Sequence, residues 1–243
     1  MSITWNPWHG CRRVSEGCRN CYVYRIDAKH GKESSAVTLN SDFLLPLRRA
    51  KGVSGSAWKI ESGESVYTCF SSDFLIEDAD EWRPDVWRMM RERQDLHFIF
   101  FTKRIERLAA CLPDDWGEGY PNVTVGCTCE NQARADERLP IFLSLPLLRR
   151  IIVCEPLLEA IDLSPYLDRC LISEVSVGGE SGSDARVCDL DWVLGIRRAC
   201  EAASVPFSFH QTGASFRRDG KVFRIPRHLQ HEQAARAGLD LKK

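Results

Sequence analysis

Val66-Tyr67-Thr68-Cys69-Phe70-Ser71-Ser72-Asp73 is a short β-rich run that stops on three polar residues, and the chain repeats the pattern. His97-Phe98-Ile99-Phe100-Phe101 stops on Thr102-Lys103, Asn122-Val123-Thr124-Val125-Gly126-Cys127 on Thr128-Cys129-Glu130, and Arg150-Ile151-Ile152-Val153-Cys154 on Glu155-Pro156. Glu174-Val175-Ser176-Val177 stops on Gly178-Gly179-Glu180, and Val205-Pro206-Phe207-Ser208-Phe209 on His210-Gln211. Helical stretches fall between them, over Asp85 to Arg93, Arg104 to Cys111, after Glu130 through Arg138, and over Trp192 to Ala202. Continuous apolar runs of this length fit strands buried on both faces, and their alternation with helices predicts βαβ units and a parallel sheet. With a strand at the N-terminus the chain holds about seven units, slightly short of a full eight-unit barrel. The expected fold is α/β, a partial or near-complete TIM-type barrel of mainly parallel strands. An open doubly wound sheet is the alternative.

The 243 residues, 44% hydrophobic and 28% charged, have the composition of a globular chain and are expected to form one domain, 1–243. Within it, residues 1–33 read as a cysteine-bearing loop and first helix (Tyr22 to His30, stopped by Gly31), and 34–63 as a long surface connection. Residues 214–243 read as a C-terminal extension packing as a hairpin or short helix. No apolar run approaches a membrane span, and Met1-Ser2-Ile3-Thr4-Trp5 lacks the basic and apolar regions of a signal peptide. A cytoplasmic protein without a membrane partner is therefore expected. Eleven cysteines, an odd number, then argue against a disulfide framework. Cys69, Cys154, Cys170 and Cys200 lie in apolar patterns and are expected in the core. Cys127 and Cys129 share one strand face, as core packing or as redox-active or ligating thiols. A net charge of −1 gives no global field for nucleic acid. The pairs Arg12-Arg13, Arg48-Arg49, Arg149-Arg150 and Arg217-Arg218 read as solvated faces and helix ends, or as a local phosphate-binding patch.

Cys11, Cys18 and Cys21 have no such apolar pattern; Arg12, Arg13, Glu16, Arg19 and Asn20 are interleaved with them. Their spacing is C-x6-C-x2-C, and Gly10 and Gly17 precede the first two. Three thiolates satisfy neither a closed zinc site nor a four-cysteine iron–sulfur site. With His9 as fourth ligand they would form a structural Cys3His zinc site, which makes a zinc-stabilised, non-catalytic binding protein one reading. Holding a [4Fe–4S] cluster, they would leave one iron open for chemistry.

The trio resembles the cluster-binding loop of radical SAM enzymes. More closely, the chain resembles a phage-associated family with a three-cysteine motif. The matching stretches are Thr4-Trp5-Asn6-Pro7, Gly10-Cys11, Ser15-Glu16-Gly17-Cys18-Arg19-Asn20-Cys21-Tyr22 and Thr102-Lys103-Arg104. They continue with Asn122-Val123-Thr124-Val125-Gly126, Glu155-Pro156-Leu157-Leu158, Gly178-Gly179-Glu180-Ser181-Gly182 and the last strand to His210-Gln211. The resemblance implies a [4Fe–4S] cluster on Cys11, Cys18 and Cys21, with S-adenosylmethionine chelating the open iron. It also implies an electron donor, reductive cleavage of the sulfonium to a 5′-deoxyadenosyl radical, and a nucleic acid or nucleotide as substrate. Gly178-Gly179-Glu180 spells the tripeptide that holds the methionine amino group in many such enzymes, and Ser71-Ser72-Asp73 is the other candidate, with Asp73 as ammonium partner.

Active sites of parallel α/β folds gather at the C-terminal ends of strands, where Lys103, Glu155 and His210 stand as catalytic candidates. Glu155 precedes Pro156, which keeps it extended, and either points into the site or pairs with a cation such as Lys103. Lys103 would bind a carboxylate or phosphate, or cap a helix. His210 would bind adenine, act as acid or base, or simply be hydrogen-bonded at the mouth. Gly178-Gly179 has a plainer reading as a turn needing positive φ. Trp5 and Trp8 would wall off solvent or pack.

Overall fold

The structure is a computed structural model and describes residues 2–50 and 57–242, so that 51–56 of the expected 34–63 connection lie outside the described residues. β1 (Ser2–Trp5) and the two-residue β2 (Trp8–His9) open the chain, followed by one 3-10 turn over Glu16–Cys18 and α1 (Tyr22–Lys29). β3 (Thr38–Leu39) pairs antiparallel with β2, and β4 (Ser65–Thr68) begins the rhythmic part. There follow α2 (Arg83–Glu92), β5 (His97–Thr102), α3 (Leu108–Cys111), β6 (Val123–Thr128), α4 (Gln132–Ser144) and β7 (Arg150–Cys154). The chain closes with β8 (Ile172–Gly178), β9 (Cys188–Asp189), α5 (Leu190–Ala202), β10 (Phe207–Gln211), β11 (Ser215–Arg218), β12 (Lys221–Arg224) and α6 (Gln230–Arg236).

Seven strands form one sheet in the order β1-β4-β5-β6-β7-β8-β10, and the pairs β1·β4, β4·β5, β7·β8 and β8·β10 run parallel. The order follows the chain without reversal, whereas a doubly wound sheet needs a point where it reverses. β1 and β10 are edges, each bonded to a single neighbour within this sheet. The fold is therefore α/β with the winding of a partial TIM-type barrel. Every residue of β6 is buried, as expected of a strand covered on both faces.

The helix after Glu130 does not stop at Arg138: α4 runs through Pro140 to Ser144, because Ala135, Leu139 and Phe142 bury one face across the proline. Cys170, expected in the core, is exposed in the turn before β8. A second sheet, β12-β11-β9, and the β2·β3 pair are additions that no apolar run announced. The C-terminal extension contains both a hairpin, β11–β12, and the short α6.

Contacts divide the chain into two compact units. One comprises the chain up to Arg12 with Ile26–Gly126 and Pro146–Arg149; the other comprises Arg13–Arg25, Cys127–Leu145 and the chain from Arg150 onward. The first is built on aromatics, with Phe74 stacked on Phe100 at 4.2 Å and edge-on to Trp87 at 4.8 Å, and Trp87 meeting Trp116 at 5.1 Å. Each such ring removed from water contributes roughly 2–3 kcal/mol. The second buries Cys154, Val175, Val177, Val193, Ile196 and Phe207.

Candidate functional site

In the first unit, the loop carrying Cys11 is laced to the end of β4. Gly10 sits at φ +99, and a Cβ there would stand 2.4 Å from the Ala36 carbonyl oxygen, so only glycine fits. The Gly10 N–H donates to Ser71 O (3.2 Å) and the Cys11 N–H to Ser34 O (2.7 Å). The Ser72 hydroxyl donates to Gly10 O, and the Ser71 hydroxyl to Trp8 O at 3.4 Å. The half-buried Cys11 Sγ lies 3.9 Å from Arg104 Nη1, while Arg104 Nη2 donates to Arg12 O at 2.8 Å. Arg104 is buried and paired with Asp73 at 3.3 Å. Burial works against its charge, yet Asp73 and the Cys11 sulfur outweigh that and hold the guanidinium above its ordinary value. A fixed positive charge thus stands beside the first sulfur.

Asp73 itself is fully engaged. Oδ1 accepts from Thr102 Oγ1 (2.7 Å) and Leu75 N (2.9 Å), and Oδ2 from Lys103 N (3.0 Å) and Arg104. An ammonium partner would have to displace one of these donors. The half-buried Lys103 ammonium, in contrast, has no hydrogen bond or ion pair among the described residues. His9 Nε2 faces both oxygens of buried Asp27, at 2.9 and 3.0 Å, and Ser34 Oγ donates to Oδ2 at 2.7 Å. Trp5 and Trp8 are fully buried, and Trp8 Nε1 donates to Asp73 O at 3.3 Å. Both are packed core residues.

In the second unit, Cys18 closes the 3-10 turn and Cys21 leads into α1, with Arg25 N donating to Cys21 O at 3.4 Å. Two strand-end glutamates hold this loop. At the end of β6, Glu130 Oε1 accepts the Gly17 N–H at 3.1 Å. Glu130 is fully buried and paired with Arg138 at 2.9 Å, and Arg138 also donates to Thr128 O at 2.7 Å. A side chain at Gly17 would press on this carboxylate at 3.0 Å. At the end of β8, Glu180 Oε2 accepts from Asn20 Nδ2 (2.9 Å), Arg186 N (2.9 Å) and Arg186 Nε (3.0 Å). Burial alone would raise the Glu180 carboxyl, but the hydrogen bonds from Arg186 and Asn20 prevail and lower it, keeping the carboxylate charged. Glu16 joins them: its hydrogen bond from Arg134 takes it down to about 2.

Also in this unit, Glu155 pairs with His210 Nδ1 at 2.9 Å and accepts from Gln211 Nε2. The hydrogen bond to Glu155 raises the His210 imidazole above its ordinary value, against the opposing effect of burial. A Cβ at Gly178 would lie 2.7 Å from the Glu155 carboxyl carbon, and one at Gly179 2.2 Å from Thr212 O. Neither glycine has positive φ, so close approach, rather than a turn, requires them. Burial pushes the Cys127 and Cys154 thiols well above the ordinary cysteine value, and Cys200 to about 12. Those are packing residues.

The expected residues thus fall into three arrangements: Cys11 with Ser71, Ser72 and the Asp73–Arg104 pair; Cys18 and Cys21 in a loop held by Glu130 and Glu180; and Glu155 with His210 beside Gly178. Arg104, Arg186 and Asn20 were not foreseen as partners. Asn20 lies between two of the cysteines, and Arg104 directly follows Thr102-Lys103, so position was their only signal. Among the described residues no three His, Cys, Asp or Glu side chains are drawn together as a metal-holding group. The donor chemistry nonetheless suits a thiophilic centre: Cys11, Cys18 and Cys21 are in no disulfide and all half-buried.

These features define an α/β protein with partial-barrel winding and a clamped three-cysteine loop. The chain belongs to the DUF5131 family, described as a protein of unknown function, whose model matches residues 1–242. No curated protein and no solved structure matches it. No helix among the described residues is long and apolar enough to cross a membrane.

Proposed function

We propose that this is an iron–sulfur protein resembling radical SAM enzymes, of a phage-associated family, in which Cys11, Cys18 and Cys21 hold a [4Fe–4S] cluster with S-adenosylmethionine as cosubstrate. The observation that carries this reading is the investment in the cysteine loop. Arg104 stands by the first sulfur, and Glu130 and Glu180 hold the backbone and side chains around the other two. Three half-buried cysteines outside any disulfide, with charged supports, fit ligands better than core cysteines. Bound there, the cluster and cosubstrate would supply one-electron cleavage of a sulfonium and a 5′-deoxyadenosyl radical, with the electron coming from a separate donor. A nucleic acid or nucleotide is the proposed substrate class.

The chain's own groups would position and move protons. His210 Nδ1 is tied to Glu155, which leaves Nε2 as the atom able to exchange a proton with substrate. Lys103 would take a carboxylate or phosphate oxygen. At Ser71, Ser72, Gly178 and Gly179 a cosubstrate would have to exchange an internal partner, since the two hydroxyls donate to Trp8 O and Gly10 O. The Ser71, Ser72 and Gly179 N–H groups donate to Asn6 Oδ1, Cys69 O and Gln211 O, and Gly178 O accepts the Leu157 N–H. Asp73 or Glu180 would have to exchange an internal partner for the methionine ammonium. The zinc reading requires His9 to ligate through Nδ1, because Nε2 faces Asp27.

The test is metal analysis of protein purified without oxygen, with iron, sulfide and zinc assays and visible and EPR spectra, with and without S-adenosylmethionine. We expect an iron–sulfur spectrum that S-adenosylmethionine perturbs, lost in Cys18→Ala and kept in Cys200→Ala. A colourless protein holding one stoichiometric zinc, unchanged by reconstitution with iron and sulfide, would end the proposal.

A further inference from the structure

The β11–β12 hairpin carries a combination of residues that neither the sheet nor the cysteine loop uses. Its turn is Asp219-Gly220, with φ of +51 and +71, the two positive angles of a type I′ turn. Over 217–227 the chain places five cations, Arg217, Arg218, Lys221, Arg224 and Arg227, against one carboxylate, Asp219. Arg217 pairs with Asp189 and Arg218 with Asp219. Lys221, Arg224 and Arg227 are exposed and have no hydrogen bond or ion pair from their side chains among the described residues.

Register sharpens the picture. Phe216 lies opposite Phe223, and Arg218 opposite Lys221, so these four share one face. Two cations directly opposite each other repel, a cost the hairpin bears at its tip. On the same face, Phe216 is buried against Phe209 at 5.9 Å, whereas Phe223 is 48% exposed. Val222 on the other face is 52% exposed. β12 is an edge strand, exposed along its whole length. Charges alone would guard such an edge against pairing with other chains. An exposed phenylalanine sharing its face with Arg218 and the unpaired Lys221 is not explained by that need.

We propose that the β11–β12 hairpin is a docking surface for single-stranded nucleic acid, with Arg218 and Lys221 on phosphates and an unpaired base stacked on Phe223, on the face the three share. Polyanion charge complements the unpaired cations, and the flat face of any base fits an exposed ring without sequence preference. A duplex hides its bases and would leave Phe223 unused. The proposal concerns binding alone and stands on the hairpin whether or not a cluster is held, so its failure is distinguishable from failure of the cluster reading.

The experiment is fluorescence anisotropy of the full chain with labelled oligothymidine and oligouridine across a salt series, with a labelled duplex and anionic phosphatidylserine vesicles as comparators. The intact chain should bind single strands more tightly than duplex. The Arg218→Ala/Lys221→Ala double variant should lower the slope of log K against log salt by about 1.4, two phosphates at about 0.7 each. Phe223→Ala should weaken binding about fivefold or more with the slope unchanged, and Phe223→Tyr should restore it. All three positions are exposed, so thermal melting serves as the check on folding. The proposal is overturned if single strands do not bind, if the variants bind like the intact chain, or if duplex or vesicles are preferred.

Discussion

Glu155 and His210 illustrate what one residue's neighbour decides. Glu155 was expected to be extended before Pro156 and near a cation, and its partner is an imidazole in its own unit, 2.9 Å away. The carboxylate favours the protonated ring, and His210 is raised from the ordinary value of 6.5. The sign of the pH effect follows from linkage. A histidine whose folded value is raised contributes stability in full below its unfolded value, and that contribution is lost as pH rises through the folded value. Since His210 is more than half exposed, water screens the pair and the stability term is small; the titration itself is the better measurement. In a proton NMR titration the His210 ring should have its midpoint above that of an unpaired histidine, and Glu155→Gln should bring it down. An unchanged midpoint in Glu155→Gln would mean that the carboxylate is not the cause. No reading of the sequence could have supplied this pairing, because it joins positions 55 residues apart.

Among elements, α4 ties the strand-end chemistry to the scaffold. Its N-cap is Asn131, whose side chain accepts the Arg134 N–H at 2.9 Å, and its first turns carry Arg134 to Glu16 and Arg138 to Glu130. Removing the cap in Asn131→Ala should cost about 1 kcal/mol, while Asn131→Ser should keep an oxygen on the Arg134 N–H and most of the stability. Urea denaturation midpoints would show this; a loss in Ser equal to that in Ala would discount the cap. Elements like this were legible because they rest on local pattern. The six later main-sheet strands appeared as apolar runs, and the Asp219-Gly220 turn is readable from its dipeptide. What escaped had no local pattern. β9 is two residues long, and the continuation of α4 past Pro140 depends on Leu139 and Phe142 being buried. At the site, the ligand-like spacing of the cysteines was legible. The clamps on them, Arg104, Asn20 and Arg186, were not, since a charged residue in a loop reads the same whether solvated or engaged.

At the scale of the whole chain, sequential strand order and compact units do not coincide with contiguous segments. The chain passes from one unit to the other after Arg12, Arg25, Gly126, Leu145 and Arg149, and one of these crossings falls inside β6. The Arg13–Arg25 segment belongs with the unit that contains β7, β8 and β10, where its Gly17 N–H and Asn20 amide bond Glu130 and Glu180. A fragment of residues 127–243 would therefore lack one donor to each of two buried carboxylates, keeping Arg138 on Glu130 and Arg186 on Glu180, and would keep only the last two residues of β6. Losing a partner of a buried charged group costs about 1–3 kcal/mol or more, a large part of a stability of roughly 5–15 kcal/mol. We expect the intact chain to melt in a cooperative transition and the 127–243 fragment to show none by far-UV circular dichroism. Joining Arg13–Arg25 to its N-terminus through a flexible Gly/Ser linker should recover part of the transition. A bare fragment that melts as cooperatively, and at the same temperature, as the intact chain would show that the cysteine segment is not needed to complete this unit. Arg138 on Glu130 and Arg186 on Glu180 would then suffice for the two carboxylates once it is gone.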